Sequence, residues 1–420
     1  MFQRTALPDG PRVISARLRG MRSLAVAAYV LAGSRAETRE LWGVAHFMEH
    51  VTFKGTERYT TTRAVSEAIE GFGGTCNAAT DRESTVYWAR LPVREAERAV
   101  DVLAELVVRP LLRDDDIRRE REVIVDEIRS YRDDPAQYVY NLFDEAFYGD
   151  TPLGWEIAGD EQSVRSLRAD QIRAFWSASY RPANLVVALA GDIEHDQAVE
   201  LVASSFGTGG GDQSAFAPAP PTPARRLLLE DRRSALAHVC LGLPGLHRDH
   251  PDQWTLELLN TVLGDGSSSR LFLKLREEAG LAYDVHSFQT DHSDCGTLQV
   301  YAGVDPADLP RAVEAIVGEL ARLRDEPVAV DELAKARAYA GGRLELRLEE
   351  SRPLAAWLGV QEALHDRVMS LDDVLTELEA VTPDDVQALA GRLLRDDALC
   401  LAVIAPADET RDIEPALKLR

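Results

Sequence analysis

Cysteine is scarce in this chain. Cys76, Cys240, Cys295 and Cys400 lie far apart, and none stands in a C-x-x-C spacing. There is thus no sign of a disulfide scaffold, and the four read as reduced, mostly buried thiols of a cytoplasmic protein. Basic charge is also short: 47 Lys and Arg face 70 Asp and Glu, for a net charge of −23. Nucleic acid and anionic membrane surfaces would be repelled, so neither is expected as a partner. Long apolar runs are missing too. Ser23 to Gly33 follows Arg17, Arg19 and Arg22 as an export signal might, but it starts late and is too short to span a bilayer, so it reads as an internal strand.

The rest is the composition of an ordinary globular protein, 45% hydrophobic and 28% charged, and 420 residues leave room for two or more domains. Val13 to Leu18 and Leu24 to Leu31 read as strands joined through Arg19 to Ser23 as a hairpin. Helices are expected over Thr62 to Ile69, Glu95 to Val107 and Asp114 to Asp133, with Thr85 to Trp88 the clearest β-prone segment between them. Phe206 to Arg226 is rich in Gly and Pro and reads as an interdomain linker.

Histidine is rare, nine in the chain, which makes His46-Phe47-Met48-Glu49-His50 stand out within the apolar run Leu41 to Phe53. Chance supplies about 0.02 matches to H-x-x-E-H in such a sequence. On a helix the two histidines are about one turn apart and point the same way, so both imidazoles can bind one ion. Glu49 flanks that face as a carboxylate able to take a proton from water held there. The alternative is a buried helix with two satisfied histidines. On Asp114 to Asp133, Ile117, Ile124, Ile128 and Tyr131 recur at helical spacing and define a face to be buried, and Glu120 and Glu127 project beside it. Carboxylates placed there need a partner, either an ion pair from another element or a metal.

The chain also repeats itself. Leu167 to Ala190 and Val381 to Ile404 align without a gap at an offset of 214, matching Asp170 to Asp384, Arg181 to Arg395 and Leu185 to Leu399. Two related domains are expected, residues 1–205 and 227–420 around the linker 206–226, each an α+β unit with a mostly antiparallel sheet and helices packed on one face. In the second domain Trp254 to Leu263 falls where the histidine-bearing helix would be and has no histidine pair, so that domain should do something other than bind metal.

Taken together these residues resemble the inverzincin zinc peptidases, the family that includes pitrilysin, insulin-degrading enzyme and the mitochondrial processing peptidase, in its short bacterial-type form. The likeness covers nearly the whole chain and rests on the pentapeptide and on Glu120 to Glu127, which is similar to the family's second metal helix. It implies one zinc per chain held by His46, His50 and Glu127, with Glu49 as general base and Glu120 orienting a ligand histidine. Gly73 to Ala78 resembles the edge strand on which the family lays its peptide, giving Gly74, Asn77 and Ala78 substrate-binding roles. Arg276 and Tyr283 resemble a pair that holds the substrate and stabilises the oxyanion. Glu278-Ala279 departs from the basic residues many relatives carry there, and leaves the pair intact. The resemblance implies a zinc metalloendopeptidase acting on peptides or unfolded segments inside the closed chamber of a homodimer. Its rival is a non-catalytic or partner-dependent subunit of a processing peptidase that keeps the fold and the metal. A different metal site built on His247, His250 or His292 is disfavoured, because those lie in polar, loop-like segments.

Overall fold

The computed structural model describes residues 2–210, 216–220, 222–365, 367–411 and 413–419. The first six strands are β1 (Phe2–Ala6), β2 (Arg12–Arg17), β3 (Ser23–Val30), β4 (Thr75–Thr80), β5 (Thr85–Pro92) and β6 (Leu185–Gly191), which form one sheet in the order β1-β2-β6-β3-β5-β4. The next five, β7 (Leu227–Asp231), β8 (Ala237–Pro244), β9 (Ala282–Asp291), β10 (Gly296–Val304) and β11 (Cys400–Ala405), form a second in the order β7-β11-β8-β10-β9. One pair in each sheet is parallel, β2 with β6 and β7 with β11, and the other pairs are antiparallel. Setting β1 aside, both sheets take their strands in the order first, fifth, second, fourth, third. The duplication is therefore one of topology as well as of sequence.

The helices follow the same scheme. The first half has α1 (Val44–Thr52), α2 (Thr62–Glu70), α3 (Ala96–Val108), α4 (Asp114–Asp133), α5 (Pro135–Tyr148), α6 (Glu161–Ser166), α7 (Ala169–Ser179) and α8 (His195–Phe206). The second has α9 (Gln253–Leu263), α10 (Leu309–Asp325), α11 (Val330–Leu348), α12 (Ser351–Leu364), α13 (Leu371–Ala380), α14 (Pro383–Leu393) and α15 (Ile413–Ala416), with a π-helical turn at Phe272–Glu278 in the place of α2. The offset of 214 carries α7 onto α14 end for end.

The chain forms two compact units that divide within the linker, after residue 217, and at further points outside it. One contains 1–129, 156–217 and 345–370, and the other 130–155, 218–344 and 371–420. The halves have exchanged a helix. In the first unit, the helices of the first half bury one face of the sheet, where Leu24, Val26, Ala28 and Val30 meet Phe47, Leu103 and Ile172. The other face, with Ala27, Tyr29 and Ala188, is covered by α12 from the second half through Leu358 and Ala363. Gly359 is required at that crossing, because a Cβ there would come within 2.3 Å of the Tyr29 ring. The second unit mirrors this: α5 from the first half packs Val139, Phe143 and Phe147 on Cys240, Cys400 and Ile404. Here the small residue is on the sheet, since a Cβ at Gly242 would lie 2.5 Å from the Phe143 ring. The one-faced packing expected from sequence holds for each half's own helices, and the exchanged helix closes the second face.

Leu24 to Val30 is apolar throughout because β3 is buried on both sides. The expected hairpin from Val13 to Leu31 does not form, because β6 inserts between β2 and β3 and pairs with both. Residues 18–22 instead bridge the end of β6: Leu18 N–H donates to Gly191 O at 2.9 Å, and Gly20 N–H to Asp192 Oδ2 at 2.9 Å. The linker reading covers residues 211–215 and 221, which lie outside the described residues. Among the described residues no helix is long and apolar enough to cross a membrane.

Candidate metal centre

The centre lies within the first unit, between α1 and α4. The N-terminus of α1 is fixed by Glu37, whose buried carboxyl accepts from Gly43 N–H and Ala45 N–H at 2.8 Å each. Burial pushes its pKa up to about 8, against the pull of the two backbone bonds and of Arg82. From that anchor, Val44, Phe47, Met48 and Val51 turn into the core, which leaves His46, Glu49 and His50 on the face toward α4. Helix α4 buries Ile117, Ile124 and Ile128, and so aims Glu120 and Glu127 back at α1, whereas Tyr131, expected on the same buried face, is 46% exposed in its last turn.

Glu127 Oε1 is 3.9 Å from His46 Nε2, and Oε2 is 3.2 Å from His50 Nε2. His46, His50 and Glu127 each offer one ligand atom, and those atoms lie within 4.8 Å of one another. Donors about 2.0–2.1 Å from a tetrahedral zinc lie about 3.3 Å apart, so the arrangement fits one ion with little adjustment. No other group of three metal-capable side chains exists among the described residues, which leaves His247, His250 and His292 without a site.

The charges support the same reading. Burial and the neighbouring His50 push the His46 pKa down to about 4, against the pull of Glu127, so this imidazole keeps its lone pair. For His50 burial also lowers the pKa, but hydrogen bonds with Glu120 and Glu127 outweigh it and take it up to about 9. Two carboxylates facing one ring favour a positive charge there, whether proton or metal ion.

Glu120 Oε1 holds His50 Nδ1 at 3.0 Å, which turns Nε2 toward Glu127. Its other oxygen takes Lys54 Nζ at 2.6 Å. The cation from another element is thus Lys54, while Arg121 spends its guanidinium on Val164 O and Leu167 O. Glu49 is largely buried, which raises its pKa, and its Oε2 accepts from Thr80 Oγ1 at 2.6 Å. Sequence reasoning missed Glu37, Lys54 and Thr80. Only Thr80 carried a signal, as the end of the strand already singled out at Asn77.

That strand, β4, is an edge of its sheet and pairs only with β5 among the described residues. Asn77 is exposed and its Oδ1 accepts from Ala78 N–H at 2.9 Å, while Ala78 is buried. Gly74 precedes the strand where a Cβ would meet Leu91 Cγ at 2.6 Å. Arg276 and Tyr283 belong to the other unit. The structure brings them together, with the Arg276 guanidinium 5.8 Å from the centre of the Tyr283 ring, and Tyr283 is 75% exposed at the start of the edge strand β9.

Known proteins resemble this chain over most of its length. The model of the insulinase family, peptidase family M16, matches residues 12–161, and that of the peptidase M16 inactive domain matches 166–339. The chain belongs to peptidase family M16. An M16 relative from Streptomyces coelicolor, named as an uncharacterized zinc protease, is 37% identical over 93% of this chain and 87% of its own. Another so named, from Bacillus subtilis, is 33% identical over 97% of this chain and 99% of its own. A crystal structure of a protease from Helicobacter pylori shares the fold with a TM-score of 0.91 at 24% identity, covering 97% of this chain and 99% of that one. In M16 terms the centre lies within the span of the first family model, and Arg276 and Tyr283 within that of the inactive domain.

Proposed function

We propose that the protein is a zinc-dependent endopeptidase that cleaves peptides or unfolded segments. The observation that carries this reading is Glu49, a buried carboxyl on the same helical face as two of three converging ligands, His46, His50 and Glu127. Zinc at this centre would polarise the scissile carbonyl and lower the pKa of a water from about 15.7 to roughly 7. Glu49 takes the proton of the attacking water and returns it to the leaving amine. A structural zinc site usually has four protein ligands, and three converge here, which supports a catalytic role over a purely structural one.

The peptide is laid along β4 as an added antiparallel strand, held by main-chain bonds with Asn77 beside it. Arg276 and Tyr283 hold the substrate backbone and stabilise the developing oxyanion. The chain carries both the ligand set and this pair, which fits a homodimer in which the pair of one subunit serves the zinc of the other, in a closed chamber. Metal analysis of the purified protein beside a peptide-library digest tests the reading. One zinc per chain and cleavage abolished by chelator are expected, and cleavage that persists in zinc-free protein would overturn it. Analytical ultracentrifugation tests the dimer, which a catalytically competent monomer would contradict.

A further inference from the structure

Thr80 has no part in the scheme above, yet it is the one side chain that hydrogen-bonds the Glu49 carboxyl among the contacts described. Its Oγ1 donates to Glu49 Oε2 at 2.6 Å, and its backbone N–H faces the same carboxyl. Glu49 has two oxygens, and holding one leaves the other as the acceptor for a proton from water. A carboxylate with a fixed free oxygen loses less rotational freedom at the moment of transfer than one that swings.

The place of Thr80 in the fold gives the contact a second meaning. It is the last residue of β4, directly opposite Thr85 of β5, and the free edge of β4 is the strand assigned to the substrate. The residues that would receive a peptide and the residue that orients the base therefore share one six-residue strand, with no loop between them. An edge strand paired on one side only is the more mobile part of a sheet, and an added strand on the other side stiffens it.

We infer that Thr80 is a positioning residue for the general base, and that pairing of a peptide along β4 fixes Glu49 through it. This rests on the reading of Glu49 as base and of β4 as the peptide edge, and it goes beyond them in tying chain length of the substrate to the chemical step. A peptide long enough to pair along β4 would then gain in kcat, and not only in KM, over one truncated on that side.

The experiment compares wild type, Thr80→Val, Thr80→Ser and Glu49→Gln, each loaded with zinc, on one cleaved peptide and its truncated form. Thr80→Val is expected to lower kcat on the long peptide about 10- to 100-fold, the usual cost of losing an outer-shell partner, with KM and bound zinc within about twofold of wild type. It should also erase most of the kcat advantage of the long peptide. Thr80→Ser keeps the hydroxyl and is expected to restore both. The inference is overturned if Thr80→Val keeps wild-type kcat, if its loss of activity follows a loss of zinc, or if folded, zinc-loaded Thr80→Ser is as impaired as the valine variant. A fully active Glu49→Gln would instead remove the base assignment itself, so the two failures are distinguishable.

Discussion

Setting β1 aside, the two units share one strand order and one succession of helices, yet among the described residues only the first brings three metal-capable side chains together. In the first, α1 presents His46, Glu49 and His50, and α4 answers with Glu120 and Glu127. In the second, α9 fills the matching place with Leu256, Leu258, Leu259, Val262 and Leu263, all buried. The starts of α4 and α11 are 216 residues apart, as are those of α5 and α12, and at that spacing Arg343 stands where Glu127 stands. Arg343 pairs with Asp265 at 2.9 Å. The second unit thus has a cation in place of the anionic ligand and no histidine on α9. One acid remains on α9, Glu257, whose pKa burial raises and whose Oε2 accepts a hydrogen bond from Gln289 Nε2 at 2.6 Å. The same strand order forms with three metal-capable side chains in one unit and without them in the other, so the scaffold does not require them.

The largest effect that follows is at the centre. His50→Ala should lose stoichiometric zinc and at least roughly 1000-fold in activity, well beyond the 10- to 100-fold cost of an outer-shell partner. Retention of zinc by this variant would erase the contrast between the units. Next is the pair in the unit without metal. Arg276→Ala should keep one zinc per chain and lose about 10²- to 10³-fold in kcat, the scale of a lost oxyanion donor, and an unchanged kcat would leave the second unit with packing alone. Glu120→Gln should weaken zinc about tenfold, read by competition with a chromophoric chelator, because His50 Nδ1 loses its anionic partner.

The smallest effect concerns Glu37. Its folded-state pKa is raised from 4.5 to about 8 by burial. The protonated form is therefore the stabilising one, with its contribution fully present below about pH 4.5 and lost as pH rises through about 8. Zinc-free wild type should lose stability relative to Glu37→Gln across that window in urea unfolding, and parallel pH profiles would show that Glu37 stays ionised on folding.

Much of this was legible beforehand, for identifiable reasons. The pentapeptide could be read because its two histidines fall one helical turn apart, and Ile117, Ile124 and Ile128 because they keep helical spacing over several turns; α4 runs over the expected residues, Asp114 to Asp133. The duplication was legible where α7 and β6 repeat as α14 and β11, because both strands are buried along their whole length and each helix keeps a periodic buried face. The placement of β6 between β2 and β3 was not, because the pairing is between residues more than 150 apart and leaves no local mark. The exchange of α5 and α12 was hidden for the same reason, since an amphipathic helix shows that it has a buried face but not which sheet buries it. Within the centre, the ligands announced themselves by residue type, while Lys54, Glu37 and Thr80 matter only through where the chain brings them.

The most direct test of the central claim is to measure zinc content and peptide hydrolysis on the same preparation of Glu49→Gln. The expected result is one zinc per chain, as in wild type, with hydrolysis reduced by about 10²- to 10⁴-fold, the contribution of a positioned general base. Cleavage at the wild-type rate with zinc bound would contradict it.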